Sequence, residues 1–224
     1  HLRHMEGVGG SNPSVSTIRH SIRPFGRFFC ALFAPCVIME ESLEHRKGGS
    51  IMSVKEIRPT DIKDNVFRLI GQDWILVSAS HNGKTNGMTA SWGGLGILWG
   101  RPVAYIFIRP TRYTKEFVDA SDHMTLSVFD VKYKPMLQYF GTVSGRDEDK
   151  IAKNALTLEK DGAYTYFAEA RLTLLAKKLY AQQLEEQFFT AAAADPADGP
   201  RSHYPKQDYH TMYVAEIEKV LVKE

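Results

Sequence analysis

Short apolar stretches separated by turn signals dominate the chain from residue 52 onward. Runs rich in β-branched and aromatic residues and bounded by Gly, Pro, Asn or Asp are typical of strands. They predict strands over residues 73–80, 88–92, 102–110, 123–130 and 209–222, with one or two more over 163–184. Charged or amphipathic segments predict short helices over 111–121, 133–145 and 147–156. Turn residues predict a connection at 81–87 and an exposed loop at 191–208.

This order of elements predicts a mainly β fold. Five or more strands, a few interposed helices and no regular β-α alternation favour an antiparallel barrel over a parallel doubly wound sheet. Two glycine-rich stretches resemble nucleotide-binding motifs without matching them. "GKT" at 83–85 has Ser78 where a P-loop needs its first glycine, and Gly94, Gly96 and Gly100 miss the dinucleotide spacing by one residue. We therefore predict a turn at "GKT" and no Rossmann domain.

Composition divides the chain near Met52. Residues 1–51 hold both cysteines and six of the 28 Lys/Arg and four of the 26 Asp/Glu residues, so 22 of each charge remain in 52–224. A neutral main part argues against a nucleic-acid partner, which needs a basic face. Because residues 52–224 contain no cysteine, thiol chemistry and a zinc site with cysteine ligands are excluded for this part. Since no apolar run reaches the ~20 residues of a membrane span, no membrane partner is predicted and a cytoplasmic location is expected.

Residues 1–51 are interpreted as an extension outside the domain of residues 52–224. A signal peptide is one alternative, because "RPFGR" is basic and "FFCALFAPCVIM" is apolar, but a small-residue cleavage site is missing. The other is translated upstream sequence. "GSNP" matches the codons of a transfer-RNA T-arm consensus, and "KGGSIM" can encode a ribosome-binding site before a start codon at Met52. We favour the second interpretation.

Two neighbouring stretches carry the candidate chemistry. In "IRPTRYTKE", residues 108–116, a proline ends a strand after Arg109, and Thr111 occupies the expected N-cap of a helix. Main-chain N–H groups at a helix start, with arginines and threonines beside them, can hold a phosphate, although simple capping with solvated charges explains the same residues. In "MTASWGG", residues 88–94, small residues can admit a planar ligand, or can simply form a strand that ends in a glycine bend. Taken together, the stretches predict a site for a flat ring that carries a phosphate.

The chain resembles the flavin reductase-like, FMN-binding split-barrel proteins, in particular the flavoredoxin-type branch. The resemblance rests on "NGMTASWGGLGILWGRPVAYIFIRPTRYTKEFVDAS", "SGRDEDKIAKNALT", "EARLTLLAKKLYAQQL" and "DYHTMYVAEI", and it covers nearly all of residues 52–224. It implies a homodimeric split barrel that holds FMN noncovalently. It also implies that the isoalloxazine is lined by Met88, Thr89, Ala90, Ser91 and Trp92, and that the phosphate is held by Arg109, Thr111, Arg112, Tyr113 and Thr114. We also predict that Lys150 reaches the FMN site, although its place on a predicted helix favours a solvated lysine.

The implied function is an oxidoreductase that transfers hydride from NADH or NADPH to flavin, and on to free flavin or a partner protein. Hydride transfer needs stacked rings and no obligatory protein acid or base, so no catalytic side chain is assigned. Alternatives are an FMN-containing electron carrier with little NAD(P)H activity, an amine oxidase of the pyridoxamine-phosphate type, and a binding module without flavin. His123 and His210 are expected to be capping or surface residues rather than nicotinamide contacts, and no metal site is predicted.

Overall fold

The computed structural model describes residues 53–193 and 199–224. The predicted extension, 1–51, and part of the predicted loop 191–208 lie outside these ranges. Within them the strands are β1 Val54–Ile57, β2 Ile75–His81, β3 Lys84–Ala90, β4 Gly93–Leu98, β5 Arg101–Ile108, β6 His123–Val128, β7 Leu158–Asp161, β8 Tyr164–Phe167, β9 Leu172–Gln183 and β10 Thr211–Lys223. The helices are α1 Val66–Arg68, α2 Tyr113–Ala120, α3 Lys134–Thr142 and α4 Lys150–Lys153, with a π-helical turn at Leu69–Asp73 and short 3-10 turns that include Pro200–His203.

One antiparallel sheet forms the body of the fold. Its strands follow the order β3-β2-β6-β9-β10-β5-β4, with β1 added to the far end of β10, and β7 pairs separately with β8. β10 bonds to β9 along most of its length and to β5 along its first half. The mainly β, antiparallel architecture predicted from the sequence is confirmed.

The main core lies on the inner face of this sheet, and period-2 alternation explains its composition. Val77, Ile106, Leu126 and Tyr213 are buried there from four different strands. Helix α2 packs on β2 and β3, where Phe117 and Val118 are buried. A second core beneath α3 contains Leu137 and Phe140, so α3 is held against the other side of β3.

Several element boundaries differ from the predictions. Only Asn82 and Gly83 form the connection predicted over 81–87, because both adopt positive φ, at 50° and 75°, and close a two-residue hairpin. Residues 84–87 therefore belong to β3. Of the turn predicted at "GKT", Gly83 lies in the hairpin connection, whereas Lys84 and Thr85 begin β3. The glycine-rich stretch after Trp92 forms β4 and its turn into β5.

The start of α2 and the extent of α4 were also predicted wrongly. Thr111 is not the N-cap of α2; the chain makes a turn in which the Arg112 N–H donates to the Arg109 carbonyl, so the cap is Arg112 and it has no side-chain bond. Helix α4 is four residues long and is capped by the Asp149 carboxylate, which accepts from two main-chain N–H groups. Ala155 lies beyond its end with a φ of 50°, so the helix predicted over 147–156 is shorter at both ends.

Candidate functional site

A first cavity of about 210 Å³ opens where β3 ends. It contains the whole predicted ring-binding stretch together with residues of β5, the turn after it and the start of β10. Its lining residues are Met88, Thr89, Ala90, Ser91, Trp92, Phe107, Arg109, Arg112 and His210. The five residues expected to line the ring, 88–92, thus lie on one surface.

Local contacts explain how this wall is positioned. β3 stays paired with β2 up to Ala90, opposite Ile75, and the chain then leaves the sheet. The Thr89 hydroxyl donates to the Leu137 carbonyl at 2.5 Å, which anchors the strand end to α3. Trp92 follows and remains 39% exposed. The wall therefore combines a fixed strand end with an accessible aromatic ring.

A second, smaller cavity of about 60 Å³ adjoins the first, and Met88 and Arg112 line both. It lies between β3, the start of α2 and the turn that follows α3. Its other lining residues are Asn86, Thr111, Tyr113, Thr114, Phe140, Thr142, Val143, Ser144, Gly145 and Lys150. Four of the five residues predicted to hold a phosphate are brought together here.

Lys150 is the main electrostatic feature of the small cavity. Its side chain is only 4% exposed, and its ammonium donates to the Gly87 carbonyl at 2.8 Å and to the Phe140 carbonyl at 3.1 Å. Burial, reinforced by the positive charge of Arg112, lowers the pKa of Lys150 to about 8. The expectation of a solvated helix lysine was wrong, because α4 directs this residue inward under β3.

Arg112 faces the same cavity and likewise has no carboxylate partner. Its Nη1 donates to the Gly141 carbonyl at 3.0 Å, in the last turn of α3. Among the ion pairs of the described residues, none includes Arg112 or Lys150. Two cations held only by carbonyls, one of them buried, form a site that favours an anion.

Arg109, the fifth residue predicted to hold the phosphate, does not line the small cavity. It lines the first cavity, where Nη1 donates to the Asp208 carboxylate at 2.8 Å and Nη2 to the His203 carbonyl at 3.1 Å. Its guanidinium also lies 5.2 Å from the centre of the Tyr204 ring. The physical reason is that β5 and β10 are neighbours, so the segment before β10 supplies a carboxylate that neutralises Arg109.

His210 is a cavity residue that the sequence interpretation undervalued. It is 9% exposed, its Nδ1 lies 2.9 Å from the Tyr204 hydroxyl, and its ring centre lies 4.9 Å from that of Trp92. Burial, with the nearby charge of Arg109, lowers the pKa of His210 to about 4, so the imidazole is neutral at physiological pH. The only sequence signal was its place at the start of the strand predicted over 209–222. His123, by contrast, stacks edge-on against Tyr164 and does not line either cavity.

No cluster of three or more potential metal ligands occurs in the part of the chain that the structure describes. No helix within the same ranges is long and apolar enough to cross a membrane.

Comparison with known proteins finds no matching family model and no matching curated protein. Solved structures do match. An FMN-binding domain of a flavin reductases-like enzyme from Shewanella baltica has a TM-score of 0.54 at 18% identity, over 76% of this chain and 78% of that one. Flavoredoxin of Desulfovibrio vulgaris matches with a TM-score of 0.51 at 23% identity, over 67% and 69% of the two chains. A flavoredoxin from Methanosarcina acetivorans has a TM-score of 0.53 at 16% identity, over 68% and 69%.

These likenesses establish the fold. The chain has the split-barrel architecture of flavin reductase-like FMN-binding proteins and flavoredoxins, as its sequence motifs predicted. At such low identities they do not assign a ligand or a reaction, which depend on the site itself.

Proposed function

We propose that this protein binds FMN and acts as a flavin oxidoreductase. The observation that carries the proposal is the pair Arg112 and Lys150, two cations without carboxylate partners among the described residues, in a small cavity joined to a larger one. A phosphate in the small cavity would accept from both, and a planar ring in the first cavity would lie along the end of β3. Structures with the same fold are named as FMN-binding, which supports this choice of ligand.

The residues present fit FMN in both halves. Arg112, Lys150 and the Thr114 hydroxyl would hold the phosphate, together with main-chain N–H groups at the start of α2. Met88, Thr89, Ser91 and Trp92 would contact the ring. Bound FMN would supply hydride-transfer chemistry, which needs no acid or base from the protein.

The chain itself would position the bound ring and polarise it. Main-chain groups after Ala90 leave the sheet at the cavity wall and can hydrogen-bond a ring edge. Neutral His210, held by Tyr204, lines the same cavity beside Trp92 without adding a positive charge. Such fixed dipoles stabilise charge that develops on a bound ring during reduction.

We further propose that NADH or NADPH is the hydride donor and that free flavin or a partner protein accepts the electrons. Trp92 is exposed at the mouth of the first cavity, so a second flat ring can approach there. The test is the visible spectrum of the full chain with FMN, before and after anaerobic NADH and then NADPH. Bound flavin that bleaches supports the reductase. If the protein did not bind FMN at micromolar concentration, the proposal would be refuted.

An electron carrier with little NAD(P)H activity is the second candidate. It is favoured by the likeness to two flavoredoxins. In the same experiment, bound FMN that stays oxidised with both nucleotides but bleaches with a chemical reductant would select the carrier.

Homodimerisation is also proposed, from the exposed apolar edge of the sheet. β4 is an edge strand, and Ile97 and Trp99 are 64% and 63% exposed on it and its turn. Unpaired edges with exposed apolar residues are generally covered by another chain. Light scattering should give twice the monomer mass, and Trp99→Lys should return it to the monomer mass. A wild-type protein of monomer mass at high micromolar concentration would contradict this.

A further inference from the structure

Asn86, on β3, is a buried polar residue of the small cavity to which the sequence interpretation assigned no role. At one end of its amide, Nδ2 donates to the Thr114 hydroxyl at 2.8 Å. At the other end, Oδ1 lies so close to Gly145 that a Cβ added to this glycine would collide with it. The Asn86 amide is therefore held between α2 and the turn that follows α3.

The bond from Asn86 determines what the Thr114 hydroxyl can do. A hydroxyl offers one hydrogen and two acceptor lone pairs, and Asn86 donates to one of the lone pairs. Among the hydrogen bonds of residues 53–193 and 199–224, no bond uses the hydroxyl hydrogen, although Thr114 is only 1% exposed. Buried polar groups generally have partners. Since Thr114 lines the small cavity, its hydrogen can be donated to a group bound there.

The small cavity consequently offers a set of donors to a ligand. Arg112 and protonated Lys150 donate hydrogen bonds and cannot accept them. With the Asn86 amide in place, the Thr114 hydroxyl adds a third donor. No Asp or Glu occurs among the described residues that line this cavity. Such a set suits a group that only accepts hydrogen bonds, as a fully ionised phosphate does.

We propose that Asn86 is a positioning residue, which holds the Thr114 hydroxyl so that its hydrogen is donated to the phosphate of the bound ligand. Gly145 keeps the amide in this orientation because it has no side chain. The inference rests on the proposed function and adds a residue that acts through Thr114. A hydroxyl that is oriented before the ligand arrives binds more tightly, because less conformational freedom is lost on binding.

The test compares the dissociation constants of FMN and riboflavin, measured by titration calorimetry on the full chain. The two ligands differ only in the phosphate, so riboflavin reports on damage to the rest of the site. Thr114→Val removes the hydroxyl and keeps the shape of the side chain, and it should weaken FMN binding about 10- to 100-fold. Asn86→Ala should weaken FMN binding about three- to tenfold. Neither change should alter the affinity for riboflavin.

A double variant shows whether Asn86 acts through Thr114. Once Thr114→Val is present, Asn86→Ala should have almost no further effect on FMN affinity, so the two changes should not be additive. Asn86→Asp should weaken FMN binding more than Asn86→Ala does, because its carboxylate would accept the Thr114 hydrogen and repel the phosphate.

Two further variants complete the comparison. Gly145→Ala should displace the Asn86 amide and weaken FMN binding to a similar extent as Asn86→Ala. Thr85→Val is the matched control, because the Thr85 hydroxyl bonds to that of Ser80, one position from Asn86 along β3, and Thr85 lines neither cavity. It should leave both dissociation constants unchanged.

The outcomes distinguish the inference from the proposed function. Additive effects in the double variant, or equal losses for FMN and riboflavin in Asn86→Ala, would overturn the positioning role and leave flavin binding intact. Unchanged FMN affinity in Thr114→Val would overturn it as well. If wild type bound neither FMN nor riboflavin, the proposed function itself would have failed.

Discussion

The buried ammonium of Lys150 leads to a pH dependence of ligand binding. Its pKa in the free protein is about 8, so the charged form predominates at pH 7 and the neutral form at pH 9. A phosphate beside it would raise that pKa toward the usual ~10.4, so binding above pH 8 requires uptake of a proton. Arg112, the other charged group facing Lys150, stays protonated between pH 7 and pH 9. A phosphomonoester has a second pKa of ~6, so the phosphate of FMN stays dianionic over the same range.

The expected magnitude follows from these values. With this pKa, about nine in ten free proteins are protonated at Lys150 at pH 7 and about one in ten at pH 9, so the affinity for FMN should fall about tenfold, or ~1.4 kcal/mol. Titration calorimetry at pH 7, 8 and 9, in two buffers of different ionisation enthalpy, measures both the affinity and the proton uptake.

Two controls isolate the Lys150–phosphate contact. Lys150→Gln should bind FMN more weakly at pH 7 with no change up to pH 9. Riboflavin, which lacks the phosphate, should show a flat profile with wild type and so accounts for ionisation of the ring. If wild type and Lys150→Gln had the same slope for FMN, the assignment of Lys150 to the phosphate would be refuted.

Other predictions concern three residues around the cavities. Arg112→Ala should weaken FMN binding by ~1.5–3 kcal/mol, the scale of a hydrogen bond to a charged group, and unchanged affinity by calorimetry would remove Arg112 from the site. Asp208→Ala leaves Arg109 without its carboxylate and should lower the free energy of unfolding in urea; no change would show that the ion pair is not stabilising. The pKa of His210 is about 4 when folded and 6.5 when unfolded, so stability should fall as pH falls between these values. His210→Gln should flatten that fall by up to about 3 kcal/mol, and urea titrations at pH 4.5 and 7 that show the same fall in both proteins would contradict the burial of a neutral imidazole.

Contiguous parts of the site were predictable because they belong to single local elements. Met88 to Trp92 form one strand end, and Thr111 to Thr114 form one turn entering a helix, so small residues and hydroxyls in sequence indicated each wall. Contacts between residues far apart in sequence were not predictable. The ion pair of Arg109 was not predicted, because its partner Asp208 lies 99 residues away along the chain.

The sequence alone determined the class of architecture, since period-2 apolar runs, turn residues and brief helical segments need no long-range information. It also determined which two stretches carry the candidate chemistry. Tertiary structure decided the electrostatics. Packing of α3 and α4 against β3 desolvates Lys150, and the pairing of β5 with β10 places Asp208 beside Arg109 and His210 against Trp92. Desolvation and charge pairing depend on which surfaces meet across the fold, and local periodicity does not encode them.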